Sequence, residues 1–230
     1  MSPKTTALFF AGLLAASPAL PESKEDKRLL ACRDVLQEFL DMKDAIPRSL
    51  IDKAKCVAVA PSVKKFALGF GGRWGKGAVS CRTEGGKGAW GPPLLLSIGG
   101  GSFGIQIGGQ AADLVFLIMN AKGIDYLLKS EFTLGADASV AAGPVGRSGE
   151  AGTDLRMQAE ILSYSRSRGL FAGVSLEGAV VKQDKDGNRS VYGEDVSPRE
   201  LLFLWVHPVP DAARDFVGLL NTISPRPAAE

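Results

Sequence analysis

The chain has 230 residues, with 27 Lys and Arg against 25 Asp and Glu. This near-neutral balance argues against a nucleic-acid binder and against a polyacidic partner. The length suits one sizeable domain or two small ones. Because no Pro/Ser-rich linker, charge block or low-complexity tract divides the middle of the chain, we predict a single domain.

The first nineteen residues have the pattern of an export signal. Lys4 supplies a basic start, residues 7–16 an apolar stretch, and Ser17 to Ala19 a small-residue cleavage site. Ten apolar residues are too few for a membrane anchor. We therefore expect cleavage after about Ala19 and a mature protein that is periplasmic or membrane-associated. Cys32 ends a lipobox-like tetrapeptide, but five charged residues precede it, which argues against lipidation.

A helical pattern begins at Ser23, where Asp26 completes a capping-box spacing. Leu29, Leu36 and Phe39 then fall on one face, which is typical of an amphipathic helix. Two interpretations remain open. The helix either docks on the core of its own domain or also lies in a membrane interface.

Strand-like segments dominate the rest of the chain. The apolar run from Leu114 to Met119 is too short to span a bilayer and predicts an interior strand covered on both faces. The pattern predicts an α+β fold in which N-terminal, central and C-terminal helices pack against a curved or barrel-like antiparallel sheet. The other predicted elements are a helix at 48–54, strands at 56–60, 66–70 and 77–82, alternation at 103–107, a helix at 121–129, strands at 132–138, 157–167 and 170–180, a polar turn at 184–188, helices from 201 and over 211–221, and a disordered tail at 225–230.

The residues for catalysis or metal binding are missing. His207 is the single histidine, and no Gly-x-Ser-x-Gly motif accompanies it. Three scattered cysteines and one histidine do not make a zinc site. Gly99, Gly101 and Gly104 match the spacing of a dinucleotide fingerprint, but a strand pattern follows where a helix is needed. We predict no enzymatic activity, no cofactor and no metal.

Cys56 and Cys81 lie on neighbouring predicted strands. In an exported protein they are candidates for a disulfide, and two buried reduced thiols are the alternative.

A Gly-rich segment at 69–77 is interpreted as a basic hairpin between two strands. Cations there could meet lipid phosphates while aromatic side chains reach the interfacial region. The alternative is a solvated hairpin with no ligand. The candidate lipid-binding residues are Lys64, Lys65, Phe70, Arg73, Trp74 and Lys76.

Several long segments, in order, resemble the SYLF domain family of lipid-associated proteins. They are IPRSLIDKAKCVAVAPSVKKFALGFGGRWGKG, GGSFGIQIGGQAADLVFLIMNAKGIDYLL, LGADASVAAGPVGR and SYSRSRGLFAGVSLEGAVV. The resemblance implies one lipid-binding domain over residues 20–224, with phosphoinositide binding known in eukaryotic members. Some eukaryotic relatives act on actin, but the export signal argues against that role here.

The expected function is therefore non-enzymatic binding of an anionic, phosphoinositide-type phospholipid or membrane surface at a bacterial cell envelope. The alternative is a structural or interaction module that docks an envelope protein partner. Nucleic acid is not expected as a partner.

Overall fold

The computed structural model describes residues 23–42, 46–145, 159–167, 170–171 and 176–225, except for the side chains of 67–70, 102–108 and 170–171. It has a mixed helix-and-sheet architecture, which confirms the predicted fold class. The elements are α1 (Lys24–Asp41), α2 (Arg48–Lys53), β1 (Cys56–Cys81), α3 (Thr83–Gly86), β2 (Leu94–Ile118), α4 (Ala121–Leu127), β3 (Glu131–Thr133), β4 (Val140–Ala142), β5 (Ile161–Ser167), β6 (Leu170–Phe171), β7 (Val180–Gln183), α5 (Lys185–Tyr192), a π-helix (Glu200–Leu204), a 3-10 turn (Asp211–Ala213) and α6 (Arg214–Ile223).

A long antiparallel ribbon of β1 and β2 is the centre of the fold. Its pairing runs from Cys56 opposite Ile118 to Val79 opposite Leu94, with register shifts between Ala60 and Val63 and between Leu68 and Phe70. The predicted hairpin at 69–77 is therefore wrong, because one continuous strand replaces the three that the sequence indicated. Glycine lacks a side chain but keeps both backbone hydrogen-bonding groups. Facing glycines, such as Gly72 opposite Gly101, can thus continue the ladder.

The ribbon folds back on itself, so that the first and last parts of β1 meet along a line that we call the seam. A Cβ placed on Gly75 would lie 2.6 Å from Val63 Cγ2, and one on Gly77 would lie 2.2 Å from Val59 O. A disulfide joins Cys56 and Cys81, the two ends of the strand, with sulfurs 2.01 Å apart. The bridge therefore closes the folded ribbon at its base.

The remaining strands extend the ribbon on both sides. β5 pairs with the end of β2, while β7 pairs with its beginning and β3 lies beyond β7. β4 runs parallel to β5, and the other strand pairs described are antiparallel. The folded ribbon and its flanking strands form a sheet that curls into a half-barrel.

Both faces of this sheet are covered. Val115 and Leu117 belong to a core on the convex face, packed with α1 and α6. Leu114, Phe116 and Ile118 belong to a second core on the concave face, closed by β3, α4 and the π-helix. The run that starts at Leu114 is an interior strand covered on both faces, as its composition predicts.

The sequence misassigned one helix. Residues 184–188 carry turn-type residues, yet α5 begins there, because Asp184 accepts a hydrogen bond from the Gly187 backbone at its N-terminus. The Asn188 side chain is buried and bonds both backbone groups of Leu95 (2.8 and 3.1 Å). This long-range anchor favours helix over turn.

Among the residues described, no helix has the length and apolar character to cross a membrane. The predicted export signal and residues 226–230 of the predicted tail lie outside the described residues.

Candidate functional site: the tip of the ribbon

The outer part of the β1–β2 ribbon projects away from the disulfide-closed base, and we call it the ribbon tip. Its described side chains belong to residues 62–66, 71–76, 97–101 and 109–113. Phe66 is 57 % exposed and Trp74 is 58 % exposed, which is unusual for side chains of this size. Two solvated aromatic groups on one strand make the tip a candidate binding surface.

The tip carries a net positive charge. Within its described residues, four cations stand against one carboxylate, Asp113. That carboxylate is neutralised by Arg166, at 2.7 Å. The cations are the four that the sequence singled out, namely Lys64, Lys65, Arg73 and Lys76.

These four cations do not form one patch. Successive residues of a strand point to opposite faces. Lys64 is exposed beside Phe66, whereas Lys65 and the buried Arg73 line a pocket on the concave face. Val63, which Gly75 approaches across the seam, lines the same pocket. The structure thus separates an outer cation beside the aromatic groups from an inner cation pair.

Lys76 is partly engaged elsewhere. Its ammonium lies 2.8 Å from Asp184 Oδ2, which also accepts a 2.6 Å hydrogen bond from Arg28. Burial alone would raise the pKa of the Asp184 carboxyl, but the hydrogen bonds and charges of Lys76 and Arg28 outweigh it and lower that pKa. Lys76 therefore ties the ribbon to α1 and α5 and offers less charge to a ligand than Lys64 does.

Two phenylalanines of β1, Phe66 and Phe70, differ in how they stand to the prediction. The side chain of Phe70 lies outside the described residues, so its role stays a prediction. Phe66 was not among the predicted site residues. It shares the parity of Lys64, which is exposed on the same face, and that period-two pattern could have identified it.

The convex face behind the ribbon is occupied by α1. Leu29, Leu36 and Phe39 are fully buried there, as the interpretation of a docked helix predicts. Cys32, also fully buried, directs its thiol to Val59 O at 3.4 Å, and burial raises its thiol pKa to about 12. A buried, protonated thiol is poorly suited to nucleophilic chemistry.

A second exposed apolar surface lies at the opposite end of the molecule. We call it the base patch, formed by Phe203, Leu204 and Val206. The ring of Trp205 stacks on that of Phe203 with centroids 6.4 Å apart, and the Arg199 guanidinium lies 4.9 Å from the Phe203 ring centre. The sequence pattern did not predict this segment to be an exposed surface.

The base patch is next to the disulfide end of the ribbon. A Cβ on Gly91 would lie 3.1 Å from Trp205 Cδ1, and the Gly91 backbone bonds Cys81 O at 2.9 Å. Trp74 is seven residues away from Cys81 along β1, or about 20 Å at the rise of a strand. The two exposed surfaces are thus well separated.

His207, the single histidine of the chain, lies between an acidic and an aromatic side chain. His207 Nδ1 lies 3.7 Å from Glu194 Oε1, and its ring packs edge-on against Tyr192 with centroids 5.7 Å apart. In the described parts of the chain, no three His, Cys, Asp or Glu side chains gather closely enough to hold a metal ion.

Comparison with known proteins agrees with this architecture. Residues 99–223 match the family model described as Ysc84, Las17-binding protein actin regulator. The chain is 35 % identical over 204 residues to an SH3 domain-containing protein of Schizosaccharomyces pombe, covering 87 % of this chain and 46 % of that protein. It is 35 % identical over 197 residues to the human SH3 domain-containing YSC84-like protein 1, covering 83 % of this chain and 56 % of that protein.

A third relative, LAS seventeen-binding protein 3 of Saccharomyces cerevisiae, is 32 % identical over 194 residues, which cover 82 % of this chain and 41 % of that protein. The chain spans about half the length of the curated relatives it matches. The family model matches more than half of the chain, in the segment that contains most of β2, the flanking strands and the C-terminal helices. The chain belongs to the Ysc84 family, the family of SYLF domains.

Proposed function

We propose that this protein binds anionic phospholipid surfaces, phosphoinositide-type headgroups included, through its ribbon tip and without catalysis. The observation that carries the proposal is the exposure of Phe66 and Trp74 at a tip whose described residues are net basic. Tryptophan favours the membrane interface, because its indole combines a large apolar surface with one polar group. Each cation near an anionic surface adds about 1 kcal/mol. Such binding is reversible and sensitive to salt.

Flotation with liposomes tests this proposal. We expect binding to phosphatidylglycerol vesicles that weakens as salt increases, and little binding to phosphatidylcholine vesicles. The variant Lys64→Glu/Trp74→Ser changes only exposed side chains and should lose binding while keeping its unfolding transition.

The matched control is Lys53→Glu, an exposed lysine of α2 that lies outside the ribbon tip. It changes the net charge of the protein as much as Lys64→Glu does. If the control abolishes binding as strongly as the tip variant, net charge governs the interaction and the proposed site is wrong.

We also propose that the protein acts at the envelope of a bacterial cell. The supporting observation is the signal-like pattern of residues 1–19. Fractionation of expressing cells followed by N-terminal sequencing tests it. A periplasmic product beginning near Leu20 is expected, and a cytoplasmic product that retains Met1 would contradict it.

A second candidate function is docking of a protein partner at the base patch. The exposed Phe203, Leu204 and Val206 favour it, since large apolar side chains at one site mark interaction surfaces. The name of the yeast relative records that it binds a protein. A photo-crosslinker at position 206 should give a discrete adduct in cells that disappears with Phe203→Ser. A crosslinker at position 64 is the control, and equal adducts from both positions would argue against a specific base site.

A further inference from the structure

The base patch combines exposed apolar side chains with a strained backbone. Phe203, Leu204 and Val206 are between 46 and 60 % exposed. Between them, Trp205 has φ 50° and ψ 40°, the left-handed region that a bulky residue seldom adopts. Its buried Nε1 has no hydrogen-bond partner among the described residues, which is a second cost. The fold thus directs apolar groups outward at the expense of its own stability, as binding surfaces commonly do.

The rim of the base patch carries charges of both signs. The Arg199 guanidinium lies over one ring of the patch. The Glu194 carboxylate lies 3.7 Å from the imidazole of His207, which directly follows the patch. α3 packs beside the π-helix and brings Glu84 and Lys87 to the same end of the molecule. These four exposed side chains are two cations and two carboxylates, so their charges balance.

We infer that the base patch binds a second copy of this chain, and that the resulting pair joins two anionic surfaces through its two ribbon tips. The inference rests on the proposed function, because it names the partner of the base patch and assigns the membrane contacts to the tips. Pairing at the base leaves the exposed aromatic groups of both tips accessible.

The mixed rim favours a second copy over other occupants. In a two-fold pair the same patch faces itself, so a cation of one copy can approach a carboxylate of the other. A rim of one sign would bring like charges together, which costs free energy. The ribbon tip is of that kind, since its described residues include four cations and one carboxylate. Self-association is therefore expected at the base, and attraction to an anionic surface at the tip.

The side chains of the base patch are of the types that protein interfaces use. Aromatic residues and arginine are enriched in interfaces, and Phe203, Trp205 and Arg199 supply both. The Phe203 ring stacks on that of Trp205 with centroids 6.4 Å apart, which limits the motion of both rings before association. Less conformational entropy is then lost when the patch is covered, and this favours affinity.

The geometry of the ribbon sets the reach of such a pair. Trp74 lies about 20 Å along β1 from the base, so contact at the base separates the two tips by roughly 40 Å. This distance exceeds the range of electrostatic interactions in physiological salt. Each tip can therefore meet a different vesicle without repulsion between the two tips.

The first arm of the test measures pairing by sedimentation over a dilution series of the purified protein. The parent should change from dimer to monomer as it is diluted. Phe203→Ser should raise the dissociation constant by about tenfold, as truncation of a central aromatic residue does. Val206→Asp is a second, independent variant, and it places carboxylates of both copies in one apolar contact. Trp74→Ser, the same kind of change at the tip, is the control and should pair like the parent.

The second arm measures clustering of phosphatidylglycerol vesicles by light scattering. The parent should cluster the vesicles. Phe203→Ser and Val206→Asp should still float with them, since their tips are intact, but should leave them dispersed. Both variants change exposed side chains and should keep the unfolding transition of the parent.

Three results would overturn the inference. They are a parent that is monomeric at every concentration, pairing that both base variants leave unchanged, and a parent that pairs and floats yet leaves vesicles dispersed. In each case, salt-sensitive flotation of the parent would leave the proposed membrane binding in place. Pairing without flotation to any vesicle would instead refute membrane binding by the tip, while the contact at the base would stand.

Discussion

At the scale of single residues, Gly77 controls the closure of the seam. A Cβ there would lie 2.2 Å from Val59 O and 2.9 Å from Ala60 Cα, both backbone atoms that no rotamer change can move away. We expect Gly77→Ala to destabilise the protein by about 1–3 kcal/mol through overpacking. Urea unfolding measures this change.

Gly99 provides the matched control for that substitution, in the facing strand. It has no atom within 4 Å of an added Cβ, so Gly99→Ala should alter stability by less than about 0.5 kcal/mol. If both substitutions lower the unfolding free energy equally, the loss comes from replacing any glycine in a strand and not from the contact at the seam.

Asp184 makes stability depend on pH. Because Lys76 and Arg28 hold its pKa below the ordinary value, despite the opposing effect of burial, the carboxylate stabilises the folded state above about pH 4. That contribution is lost as the pH falls through the lowered folded-state pKa. Asp184→Asn keeps a good N-cap for α5 and removes the charge.

We expect Asp184→Asn to lower the free energy of unfolding by about 2 kcal/mol at pH 7, the size of a hydrogen bond to a charged group. Near pH 2 the variant and the parent should be equally stable. Stability curves over pH measure the difference. Asp186→Asn, an exposed change in the same helix, is the control and should be nearly neutral throughout. If the unfolding free energies of Asp184→Asn and the parent differ by the same amount at every pH, the role of the ion pairs is contradicted.

At the scale of elements, the disulfide holds the folded ribbon closed. Cys56 and Cys81 are separated by 25 residues, and closing a loop of that length constrains the unfolded chain. Cys56→Ala/Cys81→Ala should therefore cost about 3 kcal/mol of unfolding free energy. Adding reductant should lower the stability of the parent and leave the double variant unchanged. Recovery of both thiols as free in the unreduced protein would contradict the bridge.

Local signals predicted some elements well. The Ser23 and Asp26 side chains form the predicted capping box of α1, because a cap depends only on residues three apart. Continuity of β1 was not predictable in this way. Its Gly-rich middle has the composition of a turn, and only pairing with the distant glycines of β2 makes it a strand. The same limit applies to α5, whose anchor on Leu95 lies 93 positions away.

The candidate site shows the same division between local and non-local information. The sequence identified the four cations and Trp74 by type and proximity. It placed the cations on one hairpin, whereas strand parity, two register shifts and the seam distribute them over two faces. Register shifts and the seam arise from contacts between distant parts of the chain, so neither can be derived from local periodicity.

At the scale of the whole molecule, the exposed tip and the base patch give the protein two distinct ends. The chain has three tryptophans, of which Trp74 lies at the tip, while Trp205 and the buried Trp90 lie at the base. Trp90 is 3 % exposed, and its indole N–H donates to Ser224 O at 2.9 Å, so it is shielded from membrane quenchers. The tryptophans can therefore report which end meets a bilayer.

We expect Trp205→Phe, which retains Trp74 and Trp90, to show a blue shift and quenching by brominated lipids when vesicles are added. Trp74→Tyr should still bind, since Tyr keeps an aromatic group for the interface. The fluorescence of its remaining Trp90 and Trp205 should not be quenched. Binding of both variants is verified by flotation, so that lack of quenching is not confused with lack of binding. Quenching in bound Trp74→Tyr would place the base patch in the bilayer as well. The protein would then contact lipid at both ends, and the base patch would no longer be available to a protein partner.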